Sequence, residues 1–445
     1  MITTDTGEQP KLRAAAVIPI LDERLSRKQV LREEETAGLV VALDADCVFV
    51  QTLFIRRPSP SHLFSSGHLD AIKQRLEAEE CDLFVVDGEL SPIQQRNLER
   101  SLGCKVIDRT GLILEIFGLR ARTKAGRLQV ETARLAYERS RLVRTWTHLE
   151  RQRGGRGFIS GPGETQIEAD RRMIDNALIR LKKQLKEVER TRRVQRSSRS
   201  SNETPVVALV GYTNAGKSTL FNQLASSDVF AKDMPFATLD PTIRRFDLDK
   251  GIEAALVDTV GFITDLPTTL VEAFKGTLEE SLQADLLLHV HDASSPDAEV
   301  QSEDVMQILE SLEEMVDIPL PPIIDVWNKI DRLSADEKEI LSRSRSSTEH
   351  GSDAVQISAI TGEGMEELRA KTKSILFRDR REFILQTSAD QGQIIAWLYA
   401  HGEVLSREHL EDEANTVELR VRLGMKEVGQ LERQFTSVEY TLNRV

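Results

Sequence analysis

The chain has 445 residues, of which 40% are hydrophobic and 29% charged, with a formal net charge of −13. This length predicts two to four domains that can each bury a core. No apolar run reaches the ~18–20 residues of a membrane span, and the first residues lack the features of a secretory signal. The three cysteines, Cys47, Cys81 and Cys104, do not stand at C-x-x-C spacing, which predicts reduced thiols in a cytoplasmic protein and no structural zinc.

Residues 1–120 alternate between strand-like and helix-like segments and predict a small α/β domain. Ser91-Pro92 forms a typical helix start, and Ser66 begins another predicted helix. We interpret His68 as a surface or capping histidine, because no trustworthy nucleotide motif surrounds it. The predicted strands are Gly38–Leu43, Cys47–Val50, Cys81–Val86 and Lys105–Asp108.

Residues 121–200 are basic within an acidic chain. From Arg120 to Ser200 there are 22 Lys and Arg against 9 Asp and Glu, a distribution typical of a polyanion contact. Apolar residues recur every seven positions in two stretches, which predicts two helices with heptad seams. The seam residues are Leu128, Leu135, Leu142 and Leu149, then Ile167, Ile174, Leu181 and Val188.

Between these helices, residues 151–163 are too rich in glycine for a helix. They predict an antiparallel helical hairpin whose tip carries Arg151, Arg153 and Arg156. The arm could insert into structured RNA, or it could be a solvated coiled coil with a loose loop. The segment Gln195–Thr204 is predicted as a polar linker.

A phosphate-binding loop is predicted where the apolar strand Val206–Val210 enters a glycine-rich turn that opens a helix. Backbone N–H groups of the loop can cradle phosphates, and Lys217 can reach the β- and γ-phosphate oxygens. The hydroxyl of Ser218 can bind Mg²⁺. The predicted loop residues are Gly211, Tyr212, Thr213, Asn214, Ala215, Gly216, Lys217 and Ser218.

Two switch segments are predicted downstream. Asp258 ends the strand Glu253–Val257 and can hold Mg²⁺ through water, while the Gly261 N–H can meet a γ-phosphate. The Mg²⁺-binding threonine of the first switch is either Thr238 or Thr242, which the residues alone do not separate. The predicted switch residues are Phe236, Ala237, Thr238, Leu239, Asp240, Asp258, Thr259, Val260 and Gly261.

Phe262 stands where many GTPases carry a Gln that orients the attacking water. Because a phenyl ring cannot hydrogen-bond water, we expect slow hydrolysis by the isolated protein and stimulation by a partner, and the sequence identifies no catalytic residue. Asn214 fits a pattern of K⁺-activated GTPases, which makes K⁺ a candidate cofactor. Alternatively, Asn214 only tolerates an unusual backbone dihedral.

Guanine recognition is predicted after the strand Pro322–Trp327. The Asp331 carboxylate can accept two hydrogen bonds from guanine, which adenine cannot supply, so GTP is the expected substrate. We expect the Asn328 amide to meet the other edge of the base and the Lys329 stem to pack over its ring. The predicted base-site residues are Asn328, Lys329, Ile330, Asp331, Ser358, Ala359 and Ile360.

The overall prediction is an α/β protein whose GTPase domain, residues 205–378, has a mostly parallel sheet with ligand at the carboxyl ends of its strands. The α/β domain and the hairpin precede it. Residues 379–445 predict a small α+β domain, with strands Glu382–Gln386 and Val417–Arg422 and helices Gln391–Ala400 and Lys426–Phe435.

Residues 205–378 resemble the translation-factor-related GTPases. The order of the segments, with Gly-Pro-Gly-Glu-Thr-Gln at 161–166 and Phe-Ala-Thr-Leu-Asp at 236–240, is similar to that of the HflX family of ribosome-associated GTPases, from about Ala14 to Leu376 and into the tail. The resemblance favours Thr238 as the switch ligand of Mg²⁺.

The resemblance implies a cytoplasmic GTPase that binds GTP and GDP, associates with the ribosomal RNA of the large ribosomal subunit and splits stalled ribosomes under stress. We expect the protein to act as a monomer.

 Family members also bind ATP through the N-terminal part, which makes ATP a further candidate ligand there. Many relatives have Gly-Lys where this chain has Gly67 and His68, so this replacement weakens the expectation for that segment.

Two other classes of function remain open from the sequence. One is an RNA-maturation or ribosome-assembly GTPase, and the other is a regulatory GTPase whose basic arm binds a protein. An arm that binds RNA should lose affinity steeply with salt and sediment with ribosomal particles, whereas a protein-binding seam should not.

Overall fold

The computed structural model describes most of the chain, in two compact units. One unit contains residues 1–193, 231–241 and 259–278, and the other contains residues 194–230, 242–258 and 279–445. The described residues are 11–21, 29–152, 166–200, 204–225, 236, 242–249, 252–263, 281–344, 353–378, 380–410, 416–436, 438 and 440–444.

The first unit contains a parallel four-stranded sheet with the order β2-β1-β3-β4. Its strands are short apolar runs, and Val17, Phe84 and Val106 are completely buried in its core. Such continuous burial is expected of a parallel sheet that is covered on both faces. The elements are β1 (Arg13–Ile20), α1 (Gln29–Ala42), β2 (Asp46–Phe54), α2 (Ser66–Ala78), β3 (Leu83–Val86), α3 (Pro92–Leu102), β4 (Lys105–Asp108) and α4 (Arg109–Arg120).

The sequence interpretation of this sheet was wrong at one strand and missed another. Gly38–Leu43, predicted as a strand, belongs to α1 apart from its last residue. Thr36, Leu39 and Val40 are completely buried, which is the i, i+3, i+4 spacing of one helix face. The missing strand is β1, in which Arg13 is followed by three alanines of weak strand propensity. The predicted helix start at Ser91-Pro92 is confirmed, and the structure adds a capping box between Ser91 and Gln94.

Two long helices, α5 (Lys124–Gln152) and α6 (Gln166–Ser200), confirm the predicted helical arms. Arg139 of α5 pairs with Asp175 of α6, with 2.6 Å between Nε and Oδ1. The seam of α6 is shielded where the heptads predict, since Leu178 is 9% exposed and four further apolar positions are half-buried. Those positions are Ile174, Leu181, Leu185 and Val188. Of the predicted tip, residues 153–163 lie outside the described residues.

The predicted linker is wrong for residues 195–200, which continue α6. Arg and Gln are good helix formers and serine is tolerated, and neither glycine nor proline interrupts this stretch. The polar composition of this stretch therefore does not mark a loop. Residues 201–203 lie outside the described part of the chain.

The second unit contains a six-stranded sheet with the order β10-β9-β8-β5-β7-β6 among the described residues. Among the described strands of this sheet, only the pairing of β6 with β7 is antiparallel, so the prediction of a mostly parallel sheet is confirmed. Its strands are β5 (Val206–Gly211), β6 (Thr242–Asp249), β7 (Ile252–Asp258), β8 (Leu286–Asp292), β9 (Ile323–Asn328) and β10 (Asp353–Gln356). The helices are α7 (Lys217–Leu224), α8 (Ala298–Val316), α9 (Ala335–Ser344) and α10 (Met365–Leu376).

The carboxyl-terminal part of this unit forms an antiparallel sheet with the order β12-β13-β11-β14. Leu385, Leu398 and Leu419 are completely buried in its core, which confirms the predicted α+β tail. Its elements are β11 (Arg381–Ser388), α11 (Gly392–His401), β12 (Glu403–His409), β13 (Thr416–Leu423), α12 (Met425–Gln434) and β14 (Tyr440–Arg444). Across the described residues, no helix combines the length and apolarity needed to cross a membrane.

Candidate nucleotide-binding site

The predicted nucleotide residues of the second unit meet at one edge of its sheet. β5, β8, β9 and β10 run parallel, so their carboxyl ends lie side by side. Gly211 ends β5, Asp292 ends β8 and Asn328 ends β9. Ligands of open parallel sheets bind at this edge, in the loops that follow the strands.

The glycines of the phosphate loop are required by close packing. Gly211 has a φ of 145°, and a Cβ there would lie 2.3 Å from the Val290 carbonyl oxygen. Gly216 has a φ of 92°, and its Cβ would lie 2.2 Å from Nδ2 of Asn328. Both distances are far inside van der Waals contact, so any larger residue would displace the loop from the strands beside it. Asn214 also has a positive φ, 61°, which fits the backbone interpretation of this residue.

Lys217 is buried beneath the loop, with 6% of its surface exposed. Its Nζ donates to the carbonyl oxygens of Gly211 at 2.9 Å and Tyr212 at 2.7 Å. Burial lowers the pKa of Lys217 to about 8, while the nearby Asp258 carboxylate opposes this and the Lys329 ammonium adds to it. A desolvated ammonium at this point is strongly attracted to phosphate oxygens.

Ser218 and Asp258 place two oxygen donors together beside the loop. The Ser218 hydroxyl, in the first turn of α7, donates to Oδ2 of Asp258 at 2.9 Å. Asp258 ends β7 and is 3% exposed. A hydroxyl beside a carboxylate is a donor set that suits Mg²⁺. Thr242 begins β6 directly opposite Asp258 in the strand register, and Thr238 lies outside the described residues.

Asn328 joins two loops of the site. Its Nδ2 donates to the Ala215 carbonyl oxygen, and its Oδ1 accepts from the backbone N–H of Ala359, both at 2.9 Å. The side chain is buried. The geometry gives Asn328 a structural role that the sequence interpretation missed, and its contact with the base stays a prediction.

Lys329 makes a second connection to the phosphate loop. Its Nζ donates to the Asn214 carbonyl oxygen at 2.6 Å and to Oδ2 of Asp292 at 2.7 Å. The backbone of Lys329 is left-handed, with a φ of 67°. Asp292 was missed by the sequence analysis, although its position at the end of a buried strand was a usable signal.

Asp331 is held by the loop that follows β10. Its Oδ1 accepts a hydrogen bond from the Ser358 hydroxyl at 2.6 Å, and Ser358 is completely buried. Asp331 itself lies on the surface, in the 3₁₀ turn Ile330–Arg332. A fixed carboxylate at an accessible position can accept hydrogen bonds from a base. Ile360, which is 69% exposed, makes the third residue of this loop.

The described switch residues of the first unit are buried. Phe236 is 2% exposed and packs edge-to-face on Phe117 of α4, with ring centroids 4.6 Å apart. Ala237–Asp240 lie outside the described residues. Thr259 and Phe262 are 1% and 2% exposed, respectively, and Val260 and Gly261 lie between them.

Family models match four consecutive parts of the chain. Their descriptions are "GTP-binding GTPase N-terminal" for residues 31–118, "GTP-binding GTPase Middle Region" for 120–199, "50S ribosome-binding GTPase" for 206–329 and "HflX C-terminal domain" for 344–443. The match to residues 120–199 corresponds to α5 and α6, which lie between the two sheets along the chain. The match to residues 344–443 begins before β10 and so includes the last strand of the six-stranded sheet.

Curated relatives match over nearly the whole length. A GTPase HflX of Magnetococcus marinus is 45% identical over 433 residues, covering 97% of this chain and 95% of the relative. A GTPase HflX of Escherichia coli is 40% identical over 419 residues, covering 94% of each chain. A crystal structure of a GTP-binding protein from Sulfolobus solfataricus in complex with GDP is 25% identical, covers 82% of this chain and 99% of its own, and has a TM-score of 0.45. The chain belongs to the HflX family and is a GTP-binding enzyme that hydrolyses GTP.

Proposed function

We propose that this GTPase binds the large ribosomal subunit through ribosomal RNA and splits or rescues stalled ribosomes under stress. Support for the ribosomal partner comes from the family model of residues 206–329, which is described as a 50S ribosome-binding GTPase. The surface of α6 is the observation that carries the proposal.

That helix exposes cations along most of its described length. Seven of them have exposed side chains, while the apolar seam is turned away from solvent. Closely spaced, exposed cations on a long helix favour contact with the phosphates of RNA. The seven are Arg171, Arg172, Arg180, Lys182, Lys183, Lys186 and Arg190.

The chain also connects this arm to the nucleotide site. α6 ends at Ser200, and β5, which leads into the phosphate loop, begins at Val206. We propose that the nucleotide state is transmitted to the arm through this short connection.

Phe262 supports a ribosomal partner that stimulates hydrolysis, because its apolar ring cannot position the attacking water.

The proposed chemistry uses Mg²⁺ held by Ser218, by Thr238 and through water by Asp258. The proposed guanine contacts are those of Asp331. K⁺ at Asn214 and ATP at the N-terminal region stay predictions.

At His68, the backbone N–H donates to the Ser65 hydroxyl at 3.3 Å, which fits a helix start. We further propose a cytoplasmic protein that acts as a monomer.

Ribosome pelleting tests this proposal. The protein is sedimented with separated large and small subunits, in GDP or in a non-hydrolysable GTP analogue, over a range of salt concentrations. We expect binding to the large subunit that is tighter with the analogue and falls steeply with salt. Equal binding to the small subunit or to precursor RNA would instead favour an assembly GTPase.

A matched pair of charge reversals locates the contact. The double variant Lys182→Glu with Lys186→Glu alters the exposed face of α6, and should weaken pelleting and flatten the salt dependence. The control, Arg378→Glu with Arg407→Glu, changes the same charge at exposed positions outside the arm and should bind normally. Equal loss of binding in both would contradict a role specific to α6.

A further inference from the structure

A histidine-rich cluster lies on the sheet of the second unit and is not part of the nucleotide site. His289 and His291 alternate along β8, and in the parallel register they stand opposite Asp325 and Trp327 of β9. Side chains at alternate positions share a face, so both imidazoles and the carboxylate meet on one side. The other side holds apolar core residues such as Leu288 and Val326.

The three potential ligand groups converge. One ligand atom from each of His289, His291 and Asp325 lies within 4.8 Å of the other two. Nε2 of His291 is 3.0 Å from Oδ1 of Asp325, and Nδ1 of His289 is 3.4 Å from the same oxygen. A tetrahedral ion with bonds of about 2.0–2.1 Å separates its ligand atoms by about 3.3 Å. The distance from His289 to Asp325 agrees with this value, and the shorter contact of His291 with Asp325 is a hydrogen bond that the ion would replace.

The buried imidazole of His289 lacks hydrogen-bond partners among the described residues. It is 1% exposed, and neither of its ring nitrogens has a hydrogen-bond partner among the residues that the structure describes. The 3.4 Å approach to Asp325 is close enough for an ion pair but does not have hydrogen-bond geometry. Buried polar atoms without partners are costly. A metal ion on Nδ1 would satisfy one of the two nitrogens.

Packing fixes the orientation of the second imidazole. His291 stacks on Trp327, with ring centroids 4.0 Å apart and planes inclined by 12°. Both histidine side chains are almost fully buried, whereas the side chain of Asp325 is 15% exposed. The stack therefore fixes the ring of His291, and the partly exposed Asp325 offers an access route from solvent.

We propose that His289, His291 and Asp325 bind a divalent transition-metal ion of the Zn²⁺ class, with water at the fourth position. Two imidazoles and one carboxylate form a donor set that suits Zn²⁺, whereas Mg²⁺ prefers oxygen ligands. The site would clamp β8 to β9 just before Asp292 and Asn328, which end these strands in the nucleotide site. It is separate from the Mg²⁺ site at Ser218.

Binding of Co²⁺ to the full chain tests the proposal, because tetrahedral Co²⁺ absorbs visibly. The metal-stripped protein is first saturated with GDP and excess Mg²⁺, so that the nucleotide's own metal position is filled. Titration with Co²⁺ should then give a tetrahedral absorption band that saturates at about one ion per chain. Zn²⁺ should abolish the band, and further Mg²⁺ should not.

Three variants identify the ligands. His291→Val and Asp325→Asn should each lose the band, and Asp325→Asn keeps the side-chain shape in case the first variant folds poorly. The control is His401→Val. His401 also stacks on a tryptophan, Trp397, with ring centroids 4.4 Å apart, but it is not in the cluster. It should keep the band. No saturable band in the parent, or a band that survives in folded Asp325→Asn, would overturn the proposal and leave a hydrogen-bonded cluster only.

Discussion

Ser218 and Asp258 are in direct contact, with 2.9 Å between the hydroxyl oxygen and Oδ2. The first turn of α7 is thereby joined to the end of β7. Since the hydroxyl is the proposed direct ligand of Mg²⁺ and the carboxylate the proposed ligand through water, one contact holds both parts of the metal site.

Ser218→Ala removes the hydroxyl and should raise the Mg²⁺ concentration needed for tight GTP binding by about tenfold or more, the equivalent of about 1.4 kcal/mol. Binding of a fluorescent GTP analogue over a Mg²⁺ titration measures this. Ser374→Ala is the control, because Ser374 is exposed and donates only to the Lys371 carbonyl oxygen. The same half-saturating Mg²⁺ in Ser218→Ala and the parent would contradict the assignment.

Asp331→Asn should weaken GTP binding at least about a hundredfold, because two hydrogen bonds to a charged acceptor are lost. It should also shift preference toward xanthosine nucleotides, whose carbonyl can accept from the new amide. Competition between GTP and xanthosine triphosphate measures both effects. The control, Asp336→Asn, lies in the first turn of α9. Unchanged GTP affinity in Asp331→Asn would disprove this base contact.

Part of the sheet of the second unit could be predicted, because β5, β7 and β9 are short apolar runs that each end in a recognisable loop. β6 and β8 were not predicted. Val206–Val210 before Gly211 is the clearest case. Gly38–Leu43 was misread because a short apolar run looks alike in a buried strand and a buried helix. The buried helix face formed by Thr36, Leu39 and Val40 becomes visible only in the fold.

The contacts that sequence reasoning missed join distant parts of the chain. Asn328 bonds to Ala215 and Ala359, and a motif read along the chain does not reveal either partner. The cluster of His289, His291 and Asp325 depends on the register between β8 and β9. Two histidines at alternate positions were visible in the sequence, but the third group lies 34 residues from the nearer of them.

Gly216→Ala should strongly reduce nucleotide binding, because the new Cβ would lie 2.2 Å from Nδ2 of Asn328 in a backbone conformation that alanine rarely adopts. Its thermal unfolding temperature should fall as well. The control is Gly67→Ala in α2, where a Cβ meets nothing within 4 Å. This substitution should increase the free energy of unfolding by about 0.5–1 kcal/mol. Parent-like binding and melting of Gly216→Ala would contradict the packing argument.

Lys217 should make nucleotide binding depend on pH. Its pKa is lowered to about 8 from an ordinary value of 10.5, so the unfolded chain keeps this proton to higher pH than the folded protein does. The contribution of Lys217 to the stability of the nucleotide-free protein therefore rises as pH increases from about 8 to about 10.5. Phosphates favour the charged ammonium, so nucleotide binding within this range should take up protons.

Calorimetry of GDP binding at pH about 9, in buffers with different ionisation enthalpies, measures that proton uptake. In Lys217→Arg the uptake should be much smaller, because a guanidinium stays protonated. Equal heats in all buffers for the parent, or the same uptake in Lys217→Arg, would contradict a lowered pKa at this lysine.

The central claim is that the basic arm couples the GTPase to the ribosome, and replacing its tip tests this most directly. A short neutral linker in place of residues 154–163 should leave folding and basal GTP binding intact. The separation of ribosomes into subunits by the parent and the shortened protein is followed by light scattering in the presence of GTP, alongside ribosome-stimulated hydrolysis. We predict that the shortened protein loses both activities. Splitting at the parent rate would contradict the claim and place the mechanism in the GTPase domain or the carboxyl-terminal sheet.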